Sequence, residues 1–262
     1  MPGVAVVTGG GSGIGEAIAT LLARRGHTVI VVDIRAEAAE HLAKRLEAEG
    51  LSITPVELDV SDRSAALDAM SDVISRYGQI DSLVNNAASF ISQGMEATTE
   101  DWDTSLGVNV RGYANMVQAT HAGMTRAGRA AIVNVASISA HVAQPARWTY
   151  NASKGAIITM TKCMALDLAP DGIRVNCVSP GWIWTPEVEK AAGDEKEYWG
   201  QVWGRFHMLR RLGEPQEVAD GIAFLLSDEA SFITGAELAV DGGYSAMGAE
   251  GLGEVSSFAG SE

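Results

Sequence analysis

Cysteine is nearly absent. Cys163 and Cys177 are the only two in 262 residues, too few for a disulfide framework, and no Cys/His spacing matches a zinc site. Both are expected to behave as small buried hydrophobes in a reducing compartment. Long apolar runs are missing as well: none approaches the ~18 residues that a membrane-spanning helix needs. No positively charged segment precedes the apolar run in MPGVAVVTGG, so it does not read as a signal peptide. Basic residues are scarce, 19 against 33 acidic ones, for a net charge of −14. Long-range repulsion then opposes a nucleic-acid or anionic-membrane partner. No H-E-x-x-H, carboxylate pair or Cys–His arrangement points to hydrolysis or to a metal. The expectation is a cytoplasmic protein without metal, membrane or nucleic acid.

What the chain does have is 47% hydrophobic residues and 29 glycines, ample for a sizeable core. Short β-branched runs at Val4–Thr8, Thr28–Asp33, Ser52–Leu58, Ser82–Asn85, Ala131–Val135, Arg174–Val178 and Glu237–Val240 read as strands. Between them lie helical periods at Gly13–Arg25, Ala36–Glu49, Asp62–Tyr77, Glu100–Arg126, Tyr150–Leu168 and Gln216–Leu226. This alternation predicts an α/β fold: a single doubly wound parallel sheet of Rossmann type with helices on both faces. No linker splits residues 1–262, so one domain is expected. Two segments break the pattern. Residues 182–212 hold four tryptophans (Trp182, Trp184, Trp199, Trp203) and read as a short substrate lid. The glycine-rich tail, about 245–262, reads as a poorly ordered terminus or as an arm docking on a neighbouring subunit.

The first strand runs into Thr8–Gly15, TGGGSGIG, and directly into a helix. Glycines there allow a tight turn and close approach of a pyrophosphate, while the helix start offers free N–H groups and a positive dipole end. Gly9, Ser12, Gly13, Ile14 and Gly15 are therefore candidate cofactor residues. Asp33 ends the second strand, where a carboxylate accepts hydrogen bonds from the adenosine ribose and repels a 2′-phosphate; this favours NAD over NADP. Arg35 pulls the other way, because a nearby arginine can accommodate that phosphate. Asp59 and the Val60 backbone follow the third strand, suited to the adenine. Asn86 and Ala87 follow the fourth, leaving room for ribose and nicotinamide.

Tyr150 and Lys154 stand four residues apart on a helix, on one face. A tyrosine with a pKa of about 10 is a poor base at neutral pH; a nearby ammonium and a cationic nicotinamide would lower that value. Ser137, just past the fifth strand, could hold the substrate oxygen beside Tyr150. Asn109 could anchor a water leading protons toward Lys154. Arg147, His141 and His207 are candidate handles for an anionic or polyol substrate, outside the catalytic set. The lid tryptophans offer flat faces to a sugar, cyclic diol or aromatic alcohol, or else pack lid against body. Asn151-Ala152-Ser153 matches a glycosylation sequon but lies in this helix and is rejected. Glu189, Asp194, Glu195 and Glu197 are expected to form a solvated face.

Taken together, Thr8–Gly15, Asp33, Asp59, Asn85–Ala88, Asn109, Ser137, Tyr150, Lys154 and Pro180–Thr185 resemble the short-chain dehydrogenase/reductase family, from Val4 to about Tyr244. One departure is Asn85-Asn86-Ala87-Ala88, with alanine where the family commonly has glycine. The resemblance implies a single doubly wound domain, usually tetrameric, and reversible hydride transfer between a secondary carbinol and a nicotinamide. It implies Tyr150 as acid/base, Lys154 binding the nicotinamide ribose, Ser137 orienting the substrate and Asn109 supporting a proton relay. Pro180, Gly181, Ile183 and Thr185 then lie along the nicotinamide carboxamide. Gly213-Glu214-Pro215, the helix after it and Asp241-Gly242-Gly243 resemble the tetramer-forming edge, so a homotetramer is expected. The leading expectation is an NAD-dependent secondary-alcohol dehydrogenase. An NADPH-dependent carbonyl reductase and a non-catalytic NAD sensor are the alternatives.

Overall fold

The computed structural model describes residues 3–252. Its seven strands form one parallel sheet in the order β3-β2-β1-β4-β5-β6-β7. They are β1 (Val4–Thr8), β2 (Thr28–Asp33), β3 (Ile53–Glu57), β4 (Ser82–Asn85), β5 (Ala130–Val135), β6 (Ile173–Pro180) and β7 (Glu237–Val240). The helices are α1 (Gly13–Arg24), α2 (Ala36–Ala48), α3 (Arg63–Tyr77), α4 (Thr99–Leu106), α5 (Gly112–Ala127), α6 (Trp148–Leu168), α7 (Pro186–Ala192), α8 (Lys196–Gly204) and α9 (Pro215–Leu226). β6 runs on to Pro180, two residues beyond the predicted strand, and delivers the Pro-Gly pair to the sheet's carboxyl edge.

Both faces of the sheet are covered, as the unbroken apolar runs require. Ala5, Val7, Val29 and Val31 point into a core with α1, α2 and α9. Val4, Val6, Ile30 and Val32 point the opposite way, toward α3 and α5. Burying each such Val or Ile contributes roughly 1.5–3 kcal/mol relative to exposure. Helix starts follow side-chain chemistry. Asp62 caps α3 by accepting from Ala65 N at 3.0 Å, and Thr98 and Asp101 form a reciprocal capping box on α4.

The chain winds outward from β1 through β2 to β3, then returns to place β4 on the other side of β1. Ligand crevices of open α/β sheets lie at this reversal, outside the strands' carboxyl ends. Register aligns those ends, with Val7 opposite Val84 and Asn85 opposite Asn134. Two expectations need correction. The helical stretch Glu100–Arg126 is not continuous: a π-helical turn at Gly107–Arg111 separates α4 from α5 and carries Asn109. Apolar period does not reveal such a one-residue insertion, a feature frequent at functional sites. Cys177 is buried, but Cys163 is exposed, because α6 packs only one side against the sheet. The tail is described as far as a short 3-10 turn at Ala249–Leu252; its remainder lies outside the described residues. Among those residues no helix is long and apolar enough to cross a membrane.

Candidate active site

A cavity of about 350 Å³ opens at the reversal, and every cofactor residue predicted from the first four strands except Gly15 lines it. Gly9 and Gly13 take left-handed backbone at φ 61° and 56°, which glycine adopts without strain. A Cβ on Gly15 would fall 2.0 Å from Gly9 O, and one on Gly9 2.8 Å from Ala87 Cα. The turn is thus packed backbone on backbone, with Gly15 behind the surface. Asn86 fastens it: its amide donates to Thr8 O and Gly9 O, both at 3.1 Å. Thr8 Oγ1 accepts from Asn86 N at 2.9 Å and Ala87 N at 3.1 Å. At the start of α1, Ser12 makes no side-chain cap, so the first-turn N–H groups remain for an anion.

Asp33 is 4% exposed at the end of β2. Its carboxylate accepts from Gly11 N and Arg35 N, both at 3.0 Å. Arg35 folds back over it, Nε to Asp33 Oδ1 at 3.5 Å and Nη2 donating to Ser12 Oγ at 2.9 Å. Asp59 Oδ1 accepts from Ser61 N at 2.8 Å and borders the same cavity. These residues fit a dinucleotide: a side-chain-free turn for phosphates, an uncapped helix start, and a buried carboxylate where a ribose would lie.

A second cavity, about 260 Å³, shares the Ile14, Asn86 and Thr185 walls with the first and is lined by Ser137, Tyr150, Lys154, Pro180, Gly181 and Ile183. The two are lobes of one cleft. Lys154 is 2% exposed; its Nζ donates to Val135 O at 2.8 Å and sits 5.6 Å from the Tyr150 ring centroid. Tyr113 donates to the same carbonyl at 3.1 Å. Burial pushes the Tyr150 phenol up to about 12, against the pull of its hydrogen bond with Ser137 and of the Arg147 charge. Burial also draws Lys154 down to about 7. The expected lowering of the phenol by Lys154 is not found here: Lys154 is not among the groups that lower it, and removing both groups from water disfavours both charged forms.

Asn109 lines neither lobe. It is fully buried in the π turn, accepting from Ser89 N at 2.7 Å and donating to Ser89 O and Ser153 Oγ at 3.0 and 2.9 Å. Ser153 in turn donates to Tyr150 O at 2.8 Å. The side-chain amide is thus occupied holding the backbone of α6 and the loop after β4, not aimed at Lys154.

The family model described as enoyl-(acyl carrier protein) reductase matches residues 9–245. The 3-oxoacyl-(acyl-carrier-protein) reductase FabG of Thermotoga maritima is 41% identical over 92% of this chain and 96% of its own. The chain belongs to the short-chain dehydrogenase/reductase family. Cyclopentanol dehydrogenase of Comamonas testosteroni is 38% identical over 93% of this chain and 97% of its own. The ligand-free structure of Thermoplasma acidophilum aldohexose dehydrogenase superposes with a TM-score of 0.87, at 35% identity, covering 95% of this chain and 96% of that one. The protein is accordingly an oxidoreductase of this family, whose dehydrogenases use a nicotinamide cofactor.

In this short-chain dehydrogenase/reductase, residues 182–212 fold into α7 and α8. The tryptophans mostly pack on one another: Trp203 lies between Trp182 (5.0 Å, 18°) and Trp199 (5.1 Å, 24°), with Trp184 tilted against it at 6.3 Å. Only Trp182 of the four lines the cleft. Of the three handles, His141 bonds Glu237 at 2.6 Å and buried His207 accepts from Trp182 N at 3.2 Å, both structural; Arg147 alone reaches the second lobe. Glu189, Asp194, Glu195 and Glu197 are exposed, as expected. Reasoning from sequence missed Phe90, whose ring stacks on Tyr150 at 6.0 Å and 23°, along with Ser139, Gln144 and Glu187. An isolated aromatic in the loop after Asn85–Ala88 was the one available signal.

Proposed function

We propose that this enzyme oxidises a secondary alcohol with NAD. One observation carries the reading: Tyr150 and Ser137 line one lobe of the same cleft that holds the glycine turn and Asp33. Gly9, Ser12, Gly13, Ile14 and the Val60 backbone would hold the dinucleotide, with Asp33 on the ribose and Asp59 at the adenine. Ala87, Asn86, Pro180, Gly181, Ile183 and Thr185 would flank the nicotinamide end. When bound, the nicotinamide supplies the hydride acceptor. Ser137 would orient the substrate oxygen, and Tyr150 as phenolate would accept the carbinol hydroxyl proton at Oη. A protonated Lys154 beside it would favour that phenolate. Asn109 holds α6 in place through Ser153. Residues 182–212 cover the substrate, and the alcohols carried by the relatives' names favour a compact or cyclic body. The same reading includes a single domain and a cytoplasmic homotetramer.

The choice of NAD is supported by Arg35, which is tied to Asp33 and Ser12 instead of standing free for a 2′-phosphate. The second reading, an NADPH-dependent carbonyl reductase, draws on that guanidinium being 58% exposed at the cavity rim. Rates with NAD and NADP over cyclic alcohols, polyols, sugars and aryl alcohols separate them. NAD is expected to win by at least ~10-fold, some 1.4 kcal/mol, and Asp33→Ala to erase most of that margin. An NADP preference of that size would establish the second reading.

A further inference from the structure

The second lobe carries one cation that the proposed chemistry does not use. Arg147 immediately precedes α6, three residues before Tyr150, and the two side chains line the same lobe. Its guanidinium carbon lies 5.7 Å from the Trp182 ring centroid, and Trp182 is itself stacked on Trp203. An arginine laid on a rigid aromatic face is held ready while its donors stay available. In a chain with 33 carboxylates, no carboxylate lies within 4 Å of Arg147 among the described residues.

The backbone brings it there under strain. Ala146, immediately before, holds φ 54°, a left-handed conformation that a residue with a Cβ adopts at a cost. Such strain persists where surrounding structure enforces it, and it concentrates at ligand sites. Gly94 makes the room: a Cβ there would approach Ala146 Cα to 3.0 Å. Of the other charged groups around the lobe, Lys154 is buried on Val135 O. Glu187 also borders the first lobe, whereas Arg147 borders only the second. The substrate end of the cleft therefore has a positive pole. Phe90, Ile138 and Trp182 supply apolar wall beside it.

We propose that Arg147 binds a carboxylate on the substrate, which makes the substrate a hydroxy acid with an apolar body instead of a neutral alcohol. This rests on the second lobe being the substrate site, and it names the substrate class of that site. Arg147 and Tyr150 line one lobe of about 260 Å³, so the carboxylate would sit a few bonds from the carbinol, along a short chain or across a small ring. A guanidinium pairs with both carboxylate oxygens through parallel N–H donors, and such charge-assisted bonds are roughly twice as strong as neutral ones. An isosteric amide cannot accept in the same way.

Binding tests this without turnover. Calorimetric titration of the NAD-loaded enzyme compares cyclohexanecarboxylate with cyclohexanecarboxamide, which share shape and differ in charge. The carboxylate is expected to bind at least tenfold more tightly. In Arg147→Met, which keeps an apolar stem on Trp182, the ratio should fall to about one, through loss of carboxylate affinity. Arg147→Gln, polar and uncharged, should give the same result and guards against misfolding of one variant. Equal affinities in the unmodified enzyme, no carboxylate binding at all, or a ratio that survives both substitutions would each overturn the role of Arg147. Absence of NADH from every alcohol in the panel above and from the hydroxycyclohexanecarboxylates as well would instead remove the dehydrogenase reading.

Discussion

The two lobes of the cleft are built from different materials. The first is mostly main chain: a glycine turn, an uncapped helix start, and Asn86 and Thr8 spending their polar atoms on fastening backbone. The second is mostly side chain: Ser137 from just past β5 and Tyr150 and Lys154 from α6, faced by Phe90, Arg147 and Trp182 from loops. A lobe made of backbone suits what many ligands share, which under the proposed reading would be phosphate and ribose. A lobe made of side chains can be changed residue by residue without touching the sheet. The contrast predicts different failures: deleting an atom should silence the second lobe, whereas adding one should close the first.

The sharpest deletion is Tyr150→Phe, which removes a single oxygen. Loss of a positioned acid/base is worth ~10²–10⁴ in rate, so kcat/KM for alcohol oxidation should fall by that factor. NAD affinity, measured by fluorescence titration, should change less than threefold, because the ring and its stacking on Phe90 persist. Retained turnover would remove Tyr150 from the acid/base role and with it the division of labour between lobes.

That division also decides what was legible in the sequence. TGGGSGIG and Asp33 could be read in order because backbone sites need particular residues at short, local spacing. Tyr150 and Lys154 were legible for the same reason, lying one helical turn apart. Phe90 was not, since it meets Tyr150 only through the fold, 60 positions away in sequence. The π turn at Asn109 was hidden because its apolar neighbours keep an ordinary helical period on either side. The lid tryptophans advertised flat faces, and nothing local showed that all four pack against one another around Trp203. The strands were the easiest reading, because burial on both faces leaves unbroken apolar runs.

Adding an atom tests the other lobe. Gly15→Ala places a methyl 2.0 Å from Gly9 O, a contact that only movement of the turn relieves. The turn is tied by Asn86 to the end of β4, so it cannot shift alone. NAD affinity should drop about 30–100-fold, roughly 2–3 kcal/mol. Cyclohexanecarboxylate binding to the second lobe, measured without cofactor, should fall less than threefold. Equal losses in both would mean that the lobes are one mechanical unit.

The smallest expected effect runs in the opposite direction. Lys154 is held at about 7 by burial, against an ordinary 10.5. Between those values the unfolded chain binds a proton that the native chain does not, so stability rises with pH across the window. The full penalty is present below about pH 7. Lys154→Met removes the amine, and Val135 O still has the Tyr113 hydroxyl as donor. The variant should therefore gain about 2 kcal/mol at pH 7, roughly 4–8 °C in Tm. Thermal denaturation from pH 6 to 10 should show the gain shrinking toward zero at the alkaline end. Above pH 10 the raised Tyr150 works the other way: the native chain keeps a proton that the unfolded chain releases, and stability falls toward pH 12. Turnover in Lys154→Met should collapse while Tm rises, the signature of a buried charge retained for chemistry. A fall in Tm would show instead that the bond to Val135 O and the packing of the lysine stem outweigh desolvation, and the second lobe would then owe its rigidity to the residue that drives its chemistry.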